Sequence, residues 1–412
     1  MLNKIEKALR DQGFAGSTDI PKIVYLAATT RLLDKPVSLA VFGPSGVGKS
    51  YAVEAGLQFI PPNEIESLSG MSEKALPYLG AEKSLKNRVL FLGEAAGMAD
   101  GNGRAFLRQL LTEGKIDYLT VQKTKDGLKG EKLPTVEGPI SFMMTTTADR
   151  IHHEDQSRML IFNLDYDRET IREVLRNSAS GKSRSEFKLD LKPFHDLQDK
   201  IKSEMTYVEI PYSLNLSDLV PVENIKIQRD FPKVISLIRA CALVHQDDRE
   251  RDASGSILAS REDYEIIYDL LATPLSQGLE ADVTQGVKDV VEGLEYIKTS
   301  NPNDYYNGVS QSRLAEYLES DRSSVLRNVH SAIKHGYITN LNPGKGREAK
   351  LQIGERKISS DKVLPHPSVL FDGILPEQVH KCTPAEVKDI PVLTEDWIPQ
   401  VSRVEVSEQI RW

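Results

Sequence analysis

Short apolar segments alternate with amphipathic ones between about residues 35 and 167 of this 412-residue chain. The clearest apolar segments are VSLAVF (37–42), RVLFL (88–92), ISFMMTTT (140–147) and MLIFNLD (159–165). Apolar segments of this length are typical of strands buried on both faces, and the amphipathic stretches between them are typical of covering helices. The pattern therefore predicts an α/β domain over residues 1–167, with a mostly parallel sheet flanked by helices.

The interval between the second and third apolar segments follows a different pattern. A helical stretch is followed by a strand-like segment, a turn rich in lysine and glycine at QKTKDGLKG (122–130), and a returning segment. Two strand-like segments around such a turn indicate a β-hairpin. We expect this hairpin to project from the sheet.

Beyond residue 167 the pattern becomes helical. The apolar residues Val234, Leu237, Ile238 and Cys241 follow the i, i+3, i+4, i+7 spacing of an amphipathic helix. We therefore assign residues 168–299 to a helical lid region.

The segment over residues 300–356 predicts a winged helix. Two groups of apolar side chains are expected to face inward: Leu314, Ala315 and Leu318 in the first helix, and Val325, Val329 and Ile333 in the second. The outward residues are Arg322, Ser323, Arg327 and Lys334 on the second helix, and Lys345 and Arg347 at the tip of the wing. This face can contact DNA, although winged helices also bind proteins and a charged face can simply be solvated.

The remaining residues, 357–412, form a tail that contains many prolines and has no strong period. Such a segment is either a clamp that lies across a neighbouring subunit or an arm that recruits a protein partner.

Composition narrows these interpretations. The net charge of -8 argues against a protein that coats nucleic acid through an overall positive charge, so any DNA contact must be local. The two cysteines, Cys241 and Cys382, lack the C-x-x-C spacing of zinc sites. No apolar run is long enough to cross a bilayer or to act as a signal peptide. We expect a soluble, cytoplasmic protein without a membrane partner.

The sequence GPSGVGKS directly follows the first predicted strand and precedes a helical pattern. It fits G-x-x-x-x-G-K-[ST] at every fixed position, in the strand-to-helix context that a P-loop requires. The motif predicts that backbone N–H groups and the lysine hold the phosphates of ATP, while the serine hydroxyl ligates Mg²⁺. The predicted nucleotide-binding residues are Gly43, Pro44, Ser45, Gly46, Val47, Gly48, Lys49 and Ser50, with Ser50 as the metal ligand.

A second candidate group follows RVLFL, in the position of a Walker B strand. Glu94 is placed there to polarise an attacking water, and an ordinary solvated acid at a strand end is the alternative. The preceding position, usually an aspartate that holds Mg²⁺, is Gly93. This departure weakens the predicted metal site and leaves the rate of hydrolysis open.

The third apolar segment ends in Thr145, Thr146 and Thr147. A hydroxyl at this position can contact the γ-phosphate or the attacking water, which is the role called sensor 1. We select Thr146, although the segment does not distinguish the three residues and threonine is also a common strand residue.

Arg158 directly precedes the last predicted strand. It is placed either to act as an arginine finger on a neighbouring subunit's nucleotide or to form a surface salt bridge. The nearby His152, His153 and Glu154 lack further ligands at metal-site spacing, so we assign them to a solvated loop.

The order of these features resembles AAA+ ATPases, in particular minichromosome-maintenance-like helicases and the helicase domains of phage and mobile-element primase-helicases. The matching segments cover roughly residues 20–275 and are GPSGVGKS, LFLGEAAGM, RQLLTEGKIDYLTVQKTKDGL, SFMMTTTADR, SRMLIF and RDFPKVISLIRACALVH. The resemblance implies a P-loop AAA+ core with a helical lid, ATP and Mg²⁺ as cofactors, and assembly into a ring, as a homo-hexamer. Gly93 departs from the family pattern, and the resemblance does not extend to priming activity.

The resemblance also implies roles for individual residues. In this family the hairpin before sensor 1 projects into the channel of the ring, where a lysine grips the DNA backbone. The matching residue is Lys125, with Lys123 and Lys129 close by. Arg158 matches the arginine finger, and Arg229 matches the sensor-2 arginine of the lid helix, with Lys233 as the alternative.

Together these features predict an ATPase that uses ATP hydrolysis to translocate along or unwind single-stranded or forked DNA, in the replication of a phage or mobile element. The alternatives are a non-helicase AAA+ ATPase that remodels or loads a protein partner, and a regulator that binds a DNA site through its winged helix. No GAFTGA-like loop occurs, which argues against a bacterial enhancer activator. Gly93 keeps open a nucleotide-dependent switch with negligible turnover.

Overall fold

The computed structural model describes residues 1–94, 102–124, 127–148, 153–165, 167–179, 189–222, 226–280, 285–318, 320–334, 336–344, 347–354 and 363–373. The helices within these residues are α1 (Leu2–Asp11), α2 (Asp19–Thr29), α3 (Lys49–Leu57), α4 (Ala75–Glu82), α5 (Asn102–Glu113), α6 (His153–Gln156), α7 (Arg168–Ala179), α8 (Lys192–Glu204), α9 (Ser213–Leu219), α10 (Ile227–Val244), α11 (Arg261–Glu280), α12 (Gln285–Ser300), α13 (Pro302–Tyr306), α14 (Gln311–Tyr317), α15 (Arg322–Lys334) and α16 (Pro367–Asp372). The strands are β1 (Leu39–Phe42), β2 (Ile65–Leu68), β3 (Arg88–Leu92), β4 (Lys115–Ile116), β5 (Leu119–Thr124), β6 (Gly127–Lys132), β7 (Val136–Glu137), β8 (Ile140–Thr146), β9 (Leu160–Asn163), β10 (Val208–Glu209), β11 (Ile257–Leu258), β12 (Ile338–Asn340) and β13 (Leu351–Ile353).

Five parallel strands form the central sheet, in the order β2-β3-β8-β1-β9. Val41 of β1 pairs with Thr145 of β8 on one side and with Phe162 of β9 on the other. All residues of β1 and β8 are buried, as expected for parallel strands that helices cover on both faces. The prediction of a parallel sheet flanked by helices is confirmed, and the half-buried edge strand β2 adds a fifth strand that the sequence pattern did not indicate.

Alternate side chains of the strands enter different apolar cores, because successive residues of a strand point to opposite faces. Leu90, Phe142 and Met144 pack on the face covered by α4 and α5. Val41 and Phe91 pack on the other face, in a core that also contains side chains of α2, α3 and the lid helices. The sheet and the lid therefore share one core.

The lid is formed by α8 to α11. Val234, Leu237, Ile238 and Cys241 of α10 are fully buried, so the helical spacing seen in the sequence marks the buried face of this helix. Helix α10 packs against α2, α8 and α11. Helix α16 also packs on the lid, where Phe371 lies against Tyr212 with ring centroids 4.9 Å apart. Part of the segment assigned to the tail is thus attached to the lid.

The C-terminal elements have a third core of their own. It is built from α12 to α15 and the antiparallel pair β12–β13. Val290 and Leu294 of α12 are buried there together with Leu314 and Val329. Helix α12 therefore packs with the C-terminal elements, although most of it falls within the predicted lid region; the boundary at residue 300 stays a prediction.

Candidate nucleotide-binding site

The P-loop lies at the carboxyl end of β1. Gly43 has a φ of +149°, and a Cβ built there would lie 2.1 Å from the Leu164 carbonyl oxygen, so this position excludes any side chain. Gly48, with a φ of +91°, ends the loop in a conformation that glycine adopts readily, and α3 begins at Lys49. The N-terminus of α3 therefore lies at the loop, an arrangement that favours bound phosphate.

Lys49 is nearly buried, with 8% of its surface exposed. Its Nζ donates a hydrogen bond to the Pro44 carbonyl oxygen at 2.7 Å. Among the carboxylates that the structure describes, none forms an ion pair with this ammonium. A cation that is removed from water and surrounded by neutral groups favours an incoming anion, and the phosphates of a nucleotide would supply that charge.

Ser50 connects the P-loop to the ends of β3 and β8. Its Oγ donates to the Gly93 carbonyl oxygen at 3.3 Å and lies 3.2 Å from Thr145 Oγ1. Thr145 also donates to the Gly93 carbonyl. These groups are all oxygen ligands, which is the chemistry that Mg²⁺ prefers, so the residues present suit the predicted metal at Ser50.

The three threonines at the end of β8 have different partners. Thr145 reaches Ser50, and Thr147 Oγ1 lies 3.5 Å from Oε1 of the exposed Glu94. The hydroxyl of Thr146 instead accepts a hydrogen bond from the Ala148 amide at 3.1 Å. Because strand side chains alternate, Thr145 and Thr147 share a direction that Thr146 does not. The sequence-based choice was Thr146, and its role stays a prediction. The geometry instead makes Thr145 the candidate next to the P-loop.

Gly93 is not required for steric reasons. A Cβ at this position would lie 3.7 Å from the Leu68 carbonyl oxygen, which is ordinary contact. Its backbone is not among the left-handed glycines of the described chain. The backbone therefore tolerates a Cβ at position 93, and the departure from an aspartate is not imposed by the main chain.

Arg158 lies between α6 and β9. Its Nε donates to Thr112 Oγ1 of α5 at 2.9 Å, and its Nη1 donates to the Glu154 carbonyl. These contacts join the guanidinium to α5 and α6, and neither contact is to a P-loop residue. The half-exposed side chain is thereby compatible with a role toward a neighbouring subunit, and that role stays a prediction.

The two sensor-2 candidates lie in the first turns of α10 and contact the residues beside Arg158. Arg229 Nη1 donates to Ser157 Oγ at 2.6 Å. Lys233 Nζ donates to the Ser157 and Met159 carbonyl oxygens, both at 3.3 Å, and lies 2.7 Å from Asp230 Oδ1. Burial lowers the pKa of Lys233, and the neighbouring Asp230 carboxylate partly opposes this effect. Sequence reasoning gave no reason to select Ser157 or Asp230.

The predicted hairpin is formed by β5 and β6, which pair antiparallel. Lys123 pairs with Leu128 and Gln122 pairs with Lys129, so the two described lysines lie on opposite faces. Both are exposed, whereas Lys125 lies outside the described residues. The face of Lys123 also carries three exposed apolar side chains: Leu119 (67% exposed), Val121 (62%) and Leu128 (78%).

The basic residues predicted for the C-terminal unit are exposed where the structure describes them. Arg322 and Arg327 lie on α15, and Arg327 Nη2 donates to Ser324 Oγ at 3.0 Å. Arg347 is exposed before β13, and Lys345 lies outside the described residues. Val325 and Val329 of α15 are buried, and Arg327 lies on the opposite, exposed face of the helix, whereas Arg322 is exposed at the first residue of the helix.

A cluster of potential metal ligands occurs elsewhere, in the lid. Cys241, His245 and Asp263 bring their ligand atoms within 4.8 Å of one another. However, both oxygens of Asp263 accept hydrogen bonds from Arg249, at 2.8 and 2.9 Å. Burial also raises the pKa of the Cys241 thiol, which disfavours the thiolate that binds metals. This cluster is better described as a buried ion pair with two neighbours.

One comparison with known proteins agrees with the P-loop domain of this fold. The family model described as the MTBMA_p00010 P-loop domain matches residues 19–184, which include the P-loop and all five strands of the central sheet. No curated protein matches the chain in sequence. Among solved structures, the Holliday junction branch migration motor RuvB of Thermotoga maritima aligns with 83% of this chain and 93% of its own, at 14% identity and a TM-score of 0.27. Similarity at this level does not determine function.

The family match supports a P-loop domain, in which the P-loop strand β1 lies between β9 and β8 of the parallel sheet. Such a domain binds nucleotide, usually with Mg²⁺, and indicates a nucleotide-driven ATPase. Along the described part of the chain, the helices are too short or too polar to span a membrane.

Proposed function

We propose that this chain is an ATP-dependent motor that assembles into a ring, as a homo-hexamer, and translocates along or unwinds DNA. One observation carries the proposal. Lys49, Ser50, Thr145 and Glu94 come from three different segments of the sequence and lie at the carboxyl ends of β1, β3 and β8. In an α/β sheet this edge is where ligands bind.

The chemistry follows from the roles of these groups. Lys49 and the N-terminus of α3 hold the β- and γ-phosphates of ATP, and Ser50 would hold Mg²⁺, which would neutralise phosphate charge. Glu94 accepts a proton from water as the water oxygen attacks the γ-phosphorus, and the bond to the β-γ bridging oxygen breaks to give ADP and phosphate. Arg158 from a neighbouring subunit stabilises the charge of the transition state, so hydrolysis requires the ring.

The proposed DNA contacts are local, as the net charge of -8 requires. Lys123 and Lys129 of the β5–β6 hairpin, together with Lys125, which lies between the two strands in the sequence, hold the DNA backbone inside the ring. The C-terminal unit is proposed to be a winged helix that recruits DNA through Arg322, Arg327, Lys345 and Arg347. The family resemblance supports a role in replication of a phage or mobile element.

A second candidate function is favoured by the exposed apolar side chains of the hairpin. Leu119, Val121 and Leu128 form an apolar face that could grip a polypeptide as well as the sugars and bases of DNA. The alternative is accordingly an AAA+ ATPase that remodels or loads a protein partner.

The deciding experiment measures steady-state ATP hydrolysis by the full chain with and without single-stranded DNA, together with strand separation on forked and flush duplexes. We expect DNA to stimulate turnover and the forked duplex to be separated. The variant Glu94→Gln should bind ATP normally and lose on the order of 100-fold or more in turnover, since the amide cannot accept the proton.

Other outcomes have defined meanings. Hydrolysis without stimulation by DNA or strand separation favours the protein-remodelling candidate. ATP binding without turnover in the wild-type chain indicates a nucleotide switch, and would trace to Gly93.

A further inference from the structure

Lys233 is placed to control the position of Arg158. Its ammonium bonds the carbonyl oxygens of Ser157 and Met159, which are the two residues on either side of Arg158. Asp230, one turn earlier on α10, fixes the same ammonium at 2.7 Å. The side chains of both Asp230 (3% exposed) and Lys233 (11% exposed) are nearly removed from water.

This contact fixes backbone rather than another mobile side chain. Two bonds from one cation to carbonyls at positions 157 and 159 restrain the path of the chain through residue 158. The Arg158 guanidinium itself bonds other groups, Thr112 of α5 and the Glu154 carbonyl. Lys233 of the lid thus restrains the backbone around residue 158, while α5 and α6 restrain the Arg158 side chain.

The lid side of this contact connects to the P-loop by continuous packing. Helix α3, which begins at Lys49, packs against α2, and α2 packs against α10. Ser236 of α10 also donates to the Lys35 carbonyl, at 2.8 Å, just before β1. A displacement of α10 relative to the sheet would therefore be transmitted to residues 157–159.

We propose that Lys233, held by Asp230, is a positioning residue for Arg158, so that its effect is exerted on the nucleotide of the neighbouring subunit and not on its own. The inference rests on the proposed ring and its arginine finger. It assigns to Lys233 a role different from direct contact with bound ATP.

The test uses the full-length variant Lys233→Met, which keeps the length of the side chain and removes the ammonium. We expect ATP affinity within about twofold of wild type, because the variant's own P-loop is intact, and turnover reduced on the order of 100-fold, because a small displacement of a catalytic group has an effect of this size. Lys200→Met is the matched control. Lys200 is another lid lysine paired with an aspartate, at 2.8 Å from Asp247. Its side chain is 41% exposed and bonds Asp247 and not the carbonyls of residues 157 and 159, so its removal should leave turnover unchanged.

Mixed assemblies then identify the site on which Lys233 acts. The reference mixture combines Lys49→Ala subunits, which keep the finger, with Arg158→Ala subunits, which keep the P-loop. Lys233→Met subunits should recover turnover when mixed with Lys49→Ala, which supplies a well-placed Arg158 to their intact P-loops. They should not recover it when mixed with Arg158→Ala, because neither partner then offers a functional finger.

The opposite pattern, with recovery only in the Arg158→Ala mixture, would show that Lys233 serves its own nucleotide and overturn the proposal. Absence of recovery in the reference mixture, in protein shown to exchange subunits, contradicts the trans arginine and hence the proposed function itself. If Lys233→Met does not yield folded protein, the double variant Asp230→Ala, Lys233→Met removes both charges and the donor to the two carbonyls, and leaves no unpaired carboxylate. It should reproduce the same mixing pattern, and normal turnover in folded protein would equally overturn the proposal.

Discussion

Lys49 and Lys233 are both nearly buried, and they differ in what surrounds them. Lys49 in the P-loop bonds one neutral carbonyl, that of Pro44. Lys233 at the lid bonds two carbonyls and the Asp230 carboxylate. A buried ammonium whose hydrogen bonds are satisfied internally contributes to the fold, whereas one without a counter-charge is kept at a cost that a bound anion can offset. Lys49 is therefore suited to bind an anionic ligand, whereas the charge and hydrogen bonds of Lys233 are already satisfied within the protein.

The largest expected effect comes from removing the ammonium of Lys49, which has no counter-charge in the described structure. Lys49→Met should weaken ATP binding by on the order of 100-fold or more, since charge-assisted bonds to two phosphates are removed. Without nucleotide, the same variant should be more stable than wild type by about 1 kcal/mol, because an uncompensated buried charge is gone. Isothermal titration and urea unfolding measure the two effects. A lower stability of nucleotide-free Lys49→Met than of wild type would contradict the claim that the Lys49 charge is uncompensated.

At Lys233 we expect the loss of the ammonium to destabilise the protein, the opposite of its effect at Lys49. Lys233→Met should lower the free energy of unfolding by about 3 kcal/mol, because it leaves the Asp230 carboxylate buried without its cation. The double variant Asp230→Ala, Lys233→Met should lose clearly less than Lys233→Met alone, since no unpaired charge remains. Urea unfolding of wild type, both single variants and the double variant completes the cycle. Equal losses in Lys233→Met and the double variant would mean that the ion pair is not the stabilising element.

A smaller effect is expected from adding an acid to the nucleotide end. Gly93→Asp places a carboxylate next to the carbonyl that Ser50 and Thr145 bond, at a position with space for a side chain. We expect the Mg²⁺ concentration that gives half-maximal ATP hydrolysis to fall about tenfold, equivalent to about 1.4 kcal/mol. Gly93→Asn adds a side chain of similar size without the charge and should leave this Mg²⁺ concentration unchanged. An unchanged Mg²⁺ dependence in Gly93→Asp would argue that the metal is held elsewhere.

The smallest effects are expected where lysines are exposed. Lys123→Ala and Lys129→Ala should each weaken binding to single-stranded DNA uniformly across sequences and reduce the salt slope by roughly 0.7 for each phosphate that the variant no longer neutralises. Lys132, in the same hairpin but 3.2 Å from the Asp117 carboxylate, provides the control, and Lys132→Ala should change the slope less. Fluorescence anisotropy over a salt series measures all three. Equal slopes in all variants would place the DNA-binding surface outside the described hairpin.

The central sheet and the P-loop can be predicted from the amino-acid sequence alone. Apolar runs such as RVLFL and VSLAVF have few options other than buried strands, and GPSGVGKS after such a strand fixes a loop whose Gly43 and Gly48 have conformations that other residues adopt poorly. The buried face of α10 was also evident from its spacing. These features can be predicted because each depends on the properties of residues that are close together in the sequence.

Which polar groups meet depends on the tertiary structure. The segment TTT gives no indication that Thr145 reaches Ser50 while Thr146 turns to its own loop, since that depends on the register between β8 and β1. The edge strand β2 is half exposed and so lacked an apolar signal. The contact of Lys233 with residues 157 and 159 joins segments more than 70 positions apart through backbone carbonyls, which every residue carries and no sequence pattern marks.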